Sequence, residues 1–428
     1  MKILVIGGGG REHALVWSMR RTSSIPLEIY CAPGNGGIGD LAHLVHIPVS
    51  QLNELAAFAA EEKIELTFVG PEAPLVDGLV DLFEQRGLSV IGPGRDAARL
   101  EGSKIFAKDF MSRWHIPTAK YRVADSYEEA KAFLRGGEFG GAGNSVVLKA
   151  DGLAAGKGVI VAESIFAGEQ AIEDLMVHHV AGSDAAQRVV IEEALSGPEA
   201  SVLLFADGLD YVLMPAARDH KRIGENDTGP NTGGMGTFTD ASVIDEQTLG
   251  RVVREIVEPT LEGALHEGFP FKGILFLGLM LTAAGPKLLE YNVRFGDPET
   301  QAILIRLETE LVSILEAMRT HSLGQMKVKW SEGASACVVV ANPGYPGKYE
   351  TGAVIQGLDA VSRDVQVFHA GTARNDEGNF LATGGRVLGV TSTGVNLSQA
   401  LDHCYDSLAQ IHWPGMHFRR DIGRPPCA

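Results

Sequence analysis

The sequence predicts a multidomain fold of two classes. An α/β amino-terminal part rests on a doubly wound parallel sheet, and α+β structure and a smaller mixed β part follow it. Length is the first reason: at 428 residues the chain exceeds the ~250–300 residues at which a single hydrophobic core stops growing. Patterning is the second. Over the first hundred residues, short apolar runs ending in glycine or proline alternate with stretches of helical spacing. The third is the change after Pro93, where paired apolar runs joined by glycine-containing turns replace the crossovers.

Residues 2–6 are an uninterrupted apolar run and read as a buried parallel strand, with a helix over 12–20 behind the glycines. A second strand at 27–31 ends at Ala32-Pro33-Gly34-Asn35. Leu52, Leu55, Ala56 and Ala59 share a helix face. A third strand at 66–69 ends at Gly70-Pro71-Glu72, then come a helix from about Leu75 and a strand at 88–91. In such a sheet the strand-end loops converge at the carboxyl edge, where ligands bind. Beyond it, one helix is expected over 96–114, stopped by Pro117. Ser126 and Glu129 read as a capping box opening a helix to about Leu134. Strands are expected at 146–149 and 159–162, as a pair at 188–193 and 199–205, and as two strands around Ala284-Gly285-Pro286. The last hundred residues read as short strands with one helix near 397–411. The expected domains are 1–101, 102–325 with a lid subdomain at about 120–193, and 326–428.

Charge and cysteine usage exclude whole classes. Lys and Arg total 37 against 54 Asp and Glu, a net charge of −17. That repels a polyphosphate duplex, so nucleic acid is not expected as a partner, while a local nest of amides or guanidinium groups can still bind a small anion. Cys31, Cys337, Cys404 and Cys427 form no Cys-x-x-Cys pair, which argues against a disulfide framework or zinc knuckle. The apolar run after Lys2 is too short for a signal-peptide core, and the run at 274–281 is far below the ~20 residues of a membrane span. A cytoplasmic monomer is expected.

Fifty-two glycines gather in clusters, which marks tight loops rather than a repeat. Gly7-Gly8-Gly9-Gly10-Arg11-Glu12 lies between strand and helix but lacks the spacing of a dinucleotide fingerprint, and Cys31 stands where the acidic residue would be. What remains is an anion site: free amides of Gly9, Gly10 and Arg11 at a helix N-terminus, with the Arg11 fork. The loop Lys149-Ala150-Asp151-Gly152-Leu153-Ala154-Ala155-Gly156-Lys157-Gly158 lacks the Walker spacing, yet a glycine loop between antiparallel strands can fold over phosphates. Lys-Leu-Leu-Glu-Tyr-Asn-Val-Arg (287–294) alternates on a strand. Leu289, Tyr291 and Val293 point to the core; Glu290, Asn292 and Arg294 form a polar row about 7 Å apart, with hard oxygens suited to Mg²⁺ and a guanidinium beyond them. Phe295-Gly296-Asp297-Pro298-Glu299-Thr300 follows as an acidic turn. Ile191-Glu192-Glu193-Ala194-Leu195, resuming at Glu199, reads as a hinge with a base-reading backbone and a ribose-binding carboxylate. Residues 219–236 read as a long, nearly apolar-free functional loop, in which His220 and Met235 could equally be packing residues.

Lys149–Gly158, Glu192–Leu195 and Glu290–Arg294 resemble the lid loop, adenine hinge and metal strand of the ATP-grasp fold. Gly-Gly-Arg-Glu-His-Ala (9–14), Ala-Pro-Gly-Asn (32–35), Val-Gly-Pro-Glu-Ala-Pro-Leu (69–75), Leu-Glu-Gly-Ser-Lys (100–104), Asp-His-Lys-Arg (219–222), Asp-Thr-Gly-Pro-Asn-Thr-Gly-Gly-Met-Gly (227–236) and Arg-Phe-Gly-Asp-Pro-Glu-Thr-Gln (294–301) narrow the likeness. Together they resemble the phosphoribosylamine–glycine ligase family over nearly the whole chain, with Gly8 and Val293 as small departures from its usual residues.

The resemblance implies ATP-dependent ligation of glycine to 5-phosphoribosylamine through glycyl phosphate, in purine biosynthesis. It implies Glu290 and Asn292 on Mg²⁺ or Mn²⁺, and Lys104, Lys149, Gly152, Gly156, Lys157, Gly158, Glu192, Glu193, Leu195 and Glu199 around ATP. Arg294 would stabilise the transferring phosphoryl group, and Asp219 and Lys221 would act on glycine. Asn231, Thr232, Gly233, Gly234, Met235, Gly236, Asp297, Pro298 and Glu299 would surround glycine and glycyl phosphate. Gly10, Arg11, Glu12, Asn35 and Glu72 would hold the ribose phosphate and present the amine. Two other readings remain at this point: another ATP-grasp ligase or carboxylase, and a non-catalytic nucleotide-binding module.

Overall fold

A computed structural model describes residues 1–139, 145–153, 158–180 and 188–424. The amino-terminal strands form a five-stranded parallel sheet in the order His43–Leu44, Glu28–Pro33, Lys2–Gly7, Leu66–Val69, Val90–Ile91. The sequence order turns back between Lys2–Gly7 and Leu66–Val69, so the switch point lies at the glycine cluster. The loops beyond these strands meet there as expected: Gly34 N donates to Gly7 O (3.0 Å) and Gly70 N to Ile6 O (2.9 Å).

The single helix expected over 96–114 is two helices, Arg95–Gly102 and Lys104–Arg113. Ser103 is extended and caps the second, its Oγ accepting from Phe106 N (3.1 Å). The cap redirects the chain so that Lys104 starts a new helix. The helix Tyr127–Arg135 is capped by Ser126, but Glu129 turns back to Asp125 N (2.8 Å) instead of closing the box on Ser126. The helix Leu397–Leu408 is capped by Asn396.

The pairing expected between 188–193 and 199–205 does not occur. Val189–Glu193 lies inside a four-stranded antiparallel sheet, between Tyr121–Ala124 and Val146–Ala150, with Val159–Ala162 outermost. Glu199–Asp207 belongs to a nine-stranded sheet, between Lys272–Thr282 on one edge and Tyr211–Leu213 and Ala217–Asp219 on the other. Both edges of each strand are already satisfied, which leaves the intervening residues as a connector between two sheets.

The large sheet continues through Gly236–Thr239, Ala334–Ala341, Arg386–Gly394 and Val365–His369, so it crosses the boundary expected at 325. Residues 222–231, expected to be structureless, form a small hairpin of Arg222–Gly224 with Thr228–Asn231. Leu4, Ile6 and Val69 share one core with Leu275, Leu277, Tyr291 and Val293, which presses the carboxyl edge of the first sheet against the end of the strand Gly285–Asn292. No helix among the described residues is long and apolar enough to cross a membrane.

Candidate active site

The strand Gly285–Asn292 pairs with Lys272–Thr282, and the register slips between Gly278 and Leu279. Glu290 faces Gly278 while Leu288 faces Leu279, so Leu289 is the extra residue of a bulge. This corrects the expected alternation: Leu288 is buried in place of Leu289, and Tyr291 and Val293 resume the core row. The bulge also frees the Leu289 carbonyl, which accepts from Lys149 Nζ (2.9 Å).

Glu290, Asn292 and Arg294 emerge on one side. Arg294 Nη2 donates to Asn292 Oδ1 (3.1 Å) and lies 2.9 Å from Glu101 Oε1. Its Nε donates to Glu72 Oε2 (3.1 Å) and its Nη1 to Phe295 O (3.2 Å). Glu290 makes no hydrogen bond or ion pair among the described residues. Burial pushes its carboxyl up, but Lys221, Lys149, Lys104 and Arg294 outweigh burial and hold it below the usual carboxylate range. A half-buried carboxylate with four cations around it and no direct partner is a place for an ion or ligand rather than for packing.

The predicted phosphate lysines stand at the root of the glycine loop. Lys104 Nζ donates to Gly152 O (3.0 Å), and Ser103 Oγ and Ile105 N hold Asp151 Oδ1. Ala150 N donates to Gly158 O (2.8 Å), which closes the loop's base. Gly156 and Lys157 lie outside the described residues. Glu192, expected to face nucleotide, is instead buried, its Oε1 3.1 Å from Lys149 Nζ and 3.2 Å from Lys108 Nζ. Glu193 accepts from Lys120 N (3.0 Å) and Lys287 Nζ (3.2 Å). Leu195 is half-buried in the connector, and Glu199 pairs with Lys221 (3.0 Å).

Across the site, Asp219 ends the strand Ala217–Asp219 beside the turn at 296–299. Burial, reinforced by Glu299, pushes the Asp219 carboxyl well above its ordinary range, and burial likewise raises Glu299. Gly234 lies between Asp219 and Pro298 with φ +110°, and a Cβ there would sit 2.5 Å from Pro298 Cδ and 2.8 Å from Asp219 Oδ1. The amides of residues 232–235 are all engaged. Thr232 N donates to Lys221 O, Gly233 N to Tyr345 Oη, Gly234 N to Thr232 Oγ1 and Met235 N to His220 O. Met235 is fully buried, and Gly236 is a strand residue packed against Ile422. Asn231 belongs to the hairpin opposite Arg222.

The amino-terminal anion site also needs correction. Gly9 N donates to Glu12 Oε2 (2.6 Å) and Arg11 N to Asp297 Oδ2 (3.4 Å), so the protein's own carboxylates occupy amides expected to be free. The Glu12 side chain is buried against Gly7 and Gly70 and takes Arg11 Nε (2.6 Å), while Arg11 Nη1 donates to Phe295 O (3.0 Å). Beside them, Gln301 lies against Gly10. Asn35 donates to Gly8 O (2.9 Å) and His369 O (2.7 Å) and accepts from Gly37 N and Ile38 N. Both ends of its amide are engaged by backbone, so it ties two parts of the chain together. Glu72 reaches the site through Arg294; the guanidinium, with Arg11, outweighs burial and lowers its carboxyl.

Four residues outside the expected site set enter here. Glu101 holds Arg294 and accepts from Val293 N (2.7 Å). Lys108 holds Glu192, and Tyr345 and Arg386 hold the 232–236 loop. Lys108 lies one helical turn past Lys104, a spacing that could have shown it; Arg386 is signalled only by the two glycines before it.

Comparison with known proteins follows this geometry. Family models for the phosphoribosylglycinamide synthetase N domain, ATP-grasp (A) domain and C domain match residues 1–101, 102–300 and 335–425. A phosphoribosylamine–glycine ligase of Xanthomonas axonopodis pv. citri is 48% identical over 426 residues, 99% of this chain and 97% of that one. A crystal structure of phosphoribosylamine–glycine ligase from Thermotoga maritima superposes with a TM-score of 0.85 at 32% identity, covering 99% of this chain and 100% of that one. The biotin carboxylase domain of Hydrogenobacter thermophilus 2-oxoglutarate carboxylase, solved with MgADP and bicarbonate, superposes at 0.73 and 15% identity over 97% of this chain and 91% of that one, a likeness of fold.

Proposed function

The chain belongs to the phosphoribosylglycinamide synthetase family, and from that premise we propose how its residues divide the reaction. It is an ATP-grasp ligase that joins glycine to phosphoribosylamine in purine biosynthesis, using ATP and a divalent metal. In our reading the products are glycinamide ribonucleotide, ADP and phosphate. A glycine carboxylate oxygen attacks the γ-phosphorus, the bond to the β–γ bridging oxygen breaks, and ADP leaves. The amine nitrogen of phosphoribosylamine then attacks the carbonyl carbon of glycyl phosphate, phosphate leaves, and the nitrogen gives up a proton.

Phosphoryl transfer depends mainly on positioning and charge neutralisation. Glu290 and Asn292 fit a divalent cation, Mg²⁺ or Mn²⁺: both offer hard oxygens, Glu290 has no partner to displace among the described residues, and Asn292 Oδ1 keeps a lone pair beside the one Arg294 uses. Bound there, the ion would neutralise charge on phosphate oxygens. Lys104 and Lys149 exchange the carbonyls of Gly152 and Leu289 for phosphate oxygens when ATP binds. Arg294 stabilises the transferring group. Asp219 and Glu299 meet the glycine ammonium, whose charge relieves their mutual repulsion, and Lys221 takes its carboxylate. Arg11 and Glu72 lie toward the ribosylamine.

The Glu290 carboxylate, without a partner among the described residues and with Lys221, Lys149, Lys104 and Arg294 acting on it, supports this reading most directly. A coupled ADP-release assay with each substrate omitted in turn tests it. ADP is expected only when ATP, glycine and phosphoribosylamine are all present. Release driven by a different amino acid, or none with the full set, would overturn the reading.

A further inference from the structure

We infer that Arg386 is the positioning residue that fixes the glycine subsite and its placement relative to the amine subsite. The inference rests on the reading of 232–236 and 297–299 as the glycine side. Arg386 opens the strand Arg386–Gly394, far along the chain from both segments. Its Nη1 donates to Gly233 O (2.7 Å), Gly234 O (3.4 Å) and Asp297 O (2.7 Å), and lies 3.5 Å from Asp297 Oδ1. Gly234 is the residue packed against Asp219 Oδ1 and Pro298, so the guanidinium sets the backbone that shapes the buried acid pair. Asp297 carries the link onward, since its Oδ2 accepts from Arg11 N (3.4 Å) and Arg11 returns to Phe295 O (3.0 Å). One guanidinium nitrogen thus ties the loop on the glycine side to the turn that docks the amino-terminal sheet.

Its own foundation is stiff. Asn342 N donates to Gly385 O (2.8 Å), Asn342 Nδ2 to Gly384 O (2.9 Å), and Trp413 Nε1 to Asn342 Oδ1 (2.9 Å). Tyr345, stacked over Gly385, supplies the acceptor for Gly233 N (3.0 Å). Arg386 therefore acts through backbone on substrate placement, where errors near 1 Å cost on the order of 100-fold.

Steady-state ADP release by the full chain tests this. Arg386→Met should raise the glycine KM about 10–100-fold and leave the ATP KM within about twofold, the pattern of lost substrate placement. Arg386→Lys should recover part of the loss, because an ammonium also donates to carbonyls but does not place its nitrogen where the guanidinium Nη1 stands, and added guanidinium ion should restore part of the Met variant's activity. Arg374→Met is the control. Arg374 pairs with Asp40 (2.6 Å) across the same junction between the carboxy- and amino-terminal parts without touching the site, and this variant should keep the wild-type glycine KM. Should Arg386→Met fold poorly, Tyr345→Phe removes only the acceptor for Gly233 N and should raise the glycine KM several-fold on its own. The inference fails if Arg386→Met leaves the glycine KM unchanged, if both KM values rise together, or if Arg374→Met matches it. A wild-type chain inactive with glycine and phosphoribosylamine would instead sink the reading of the subsites.

Discussion

The two sides of the site are built on opposite principles. On the triphosphate side the charged groups rest on carbonyls a ligand can displace, Lys104 on that of Gly152 and Lys149 on that of Leu289, and Glu290 rests on nothing among the described residues. On the glycine side the backbone is saturated, with the amides of 232–235 all engaged and the carbonyls of Gly233 and Gly234 held by Arg386. Ligand size explains the difference. A metal–triphosphate brings enough charge to strip lysines from neutral carbonyls. Glycine has few atoms, each contributing at most ~1.5 kcal/mol, too little to offset the ordering of a loop, so its subsite is formed in advance.

The contrast can be broken most sharply at Glu290. Glu290→Gln should cut turnover on the order of 100-fold or more while circular dichroism stays native, because the charge facing four cations is lost without a change of shape. Turnover near wild type would remove the triphosphate side from the comparison. On the other side, Asp219→Asn should raise the glycine KM about 10–100-fold with the ATP KM held; a matching rise in the ATP KM would show that the two sides are not separable. Lys149→Met should do the reverse, raising the ATP KM about tenfold and sparing glycine, as read from initial rates with each substrate varied.

The smallest expected effect concerns the triad beneath the lysines. Burial lowers Lys108 from 10.5 to about 8, although Glu192 pulls it up. The unfolded chain keeps this proton to about pH 10.5 and the folded chain loses it near 8, so between those values the unfolded state binds more protons and stability rises with pH. Urea unfolding of wild type should show that rise, and Lys108→Met should lack it. Parallel curves would mean that Lys108 is more solvated than its packing implies.

Much of this was legible in the residues. The strand-end glycines and the polar set Glu290, Asn292 and Arg294 follow from period and side-chain chemistry over a few neighbouring positions. The failures share one cause. The bulge at Leu289 exists because of the register with Gly278, and the separation of Val189–Glu193 from Glu199–Asp207 because each strand found other partners. Asn35 and the Gly9 and Arg11 amides looked available to an anion until Glu12, Asp297 and His369 closed on them.

Local chemistry thus proposes which side chains could meet a nucleotide and a metal, since alternation, glycine content and charge are written into adjacent residues. Folding settled which of those groups remain unsatisfied. A hydrogen bond takes up a donor or acceptor wherever its partner lies along the chain, so only the packed molecule could leave Glu290 open and bring Arg386 to Gly233.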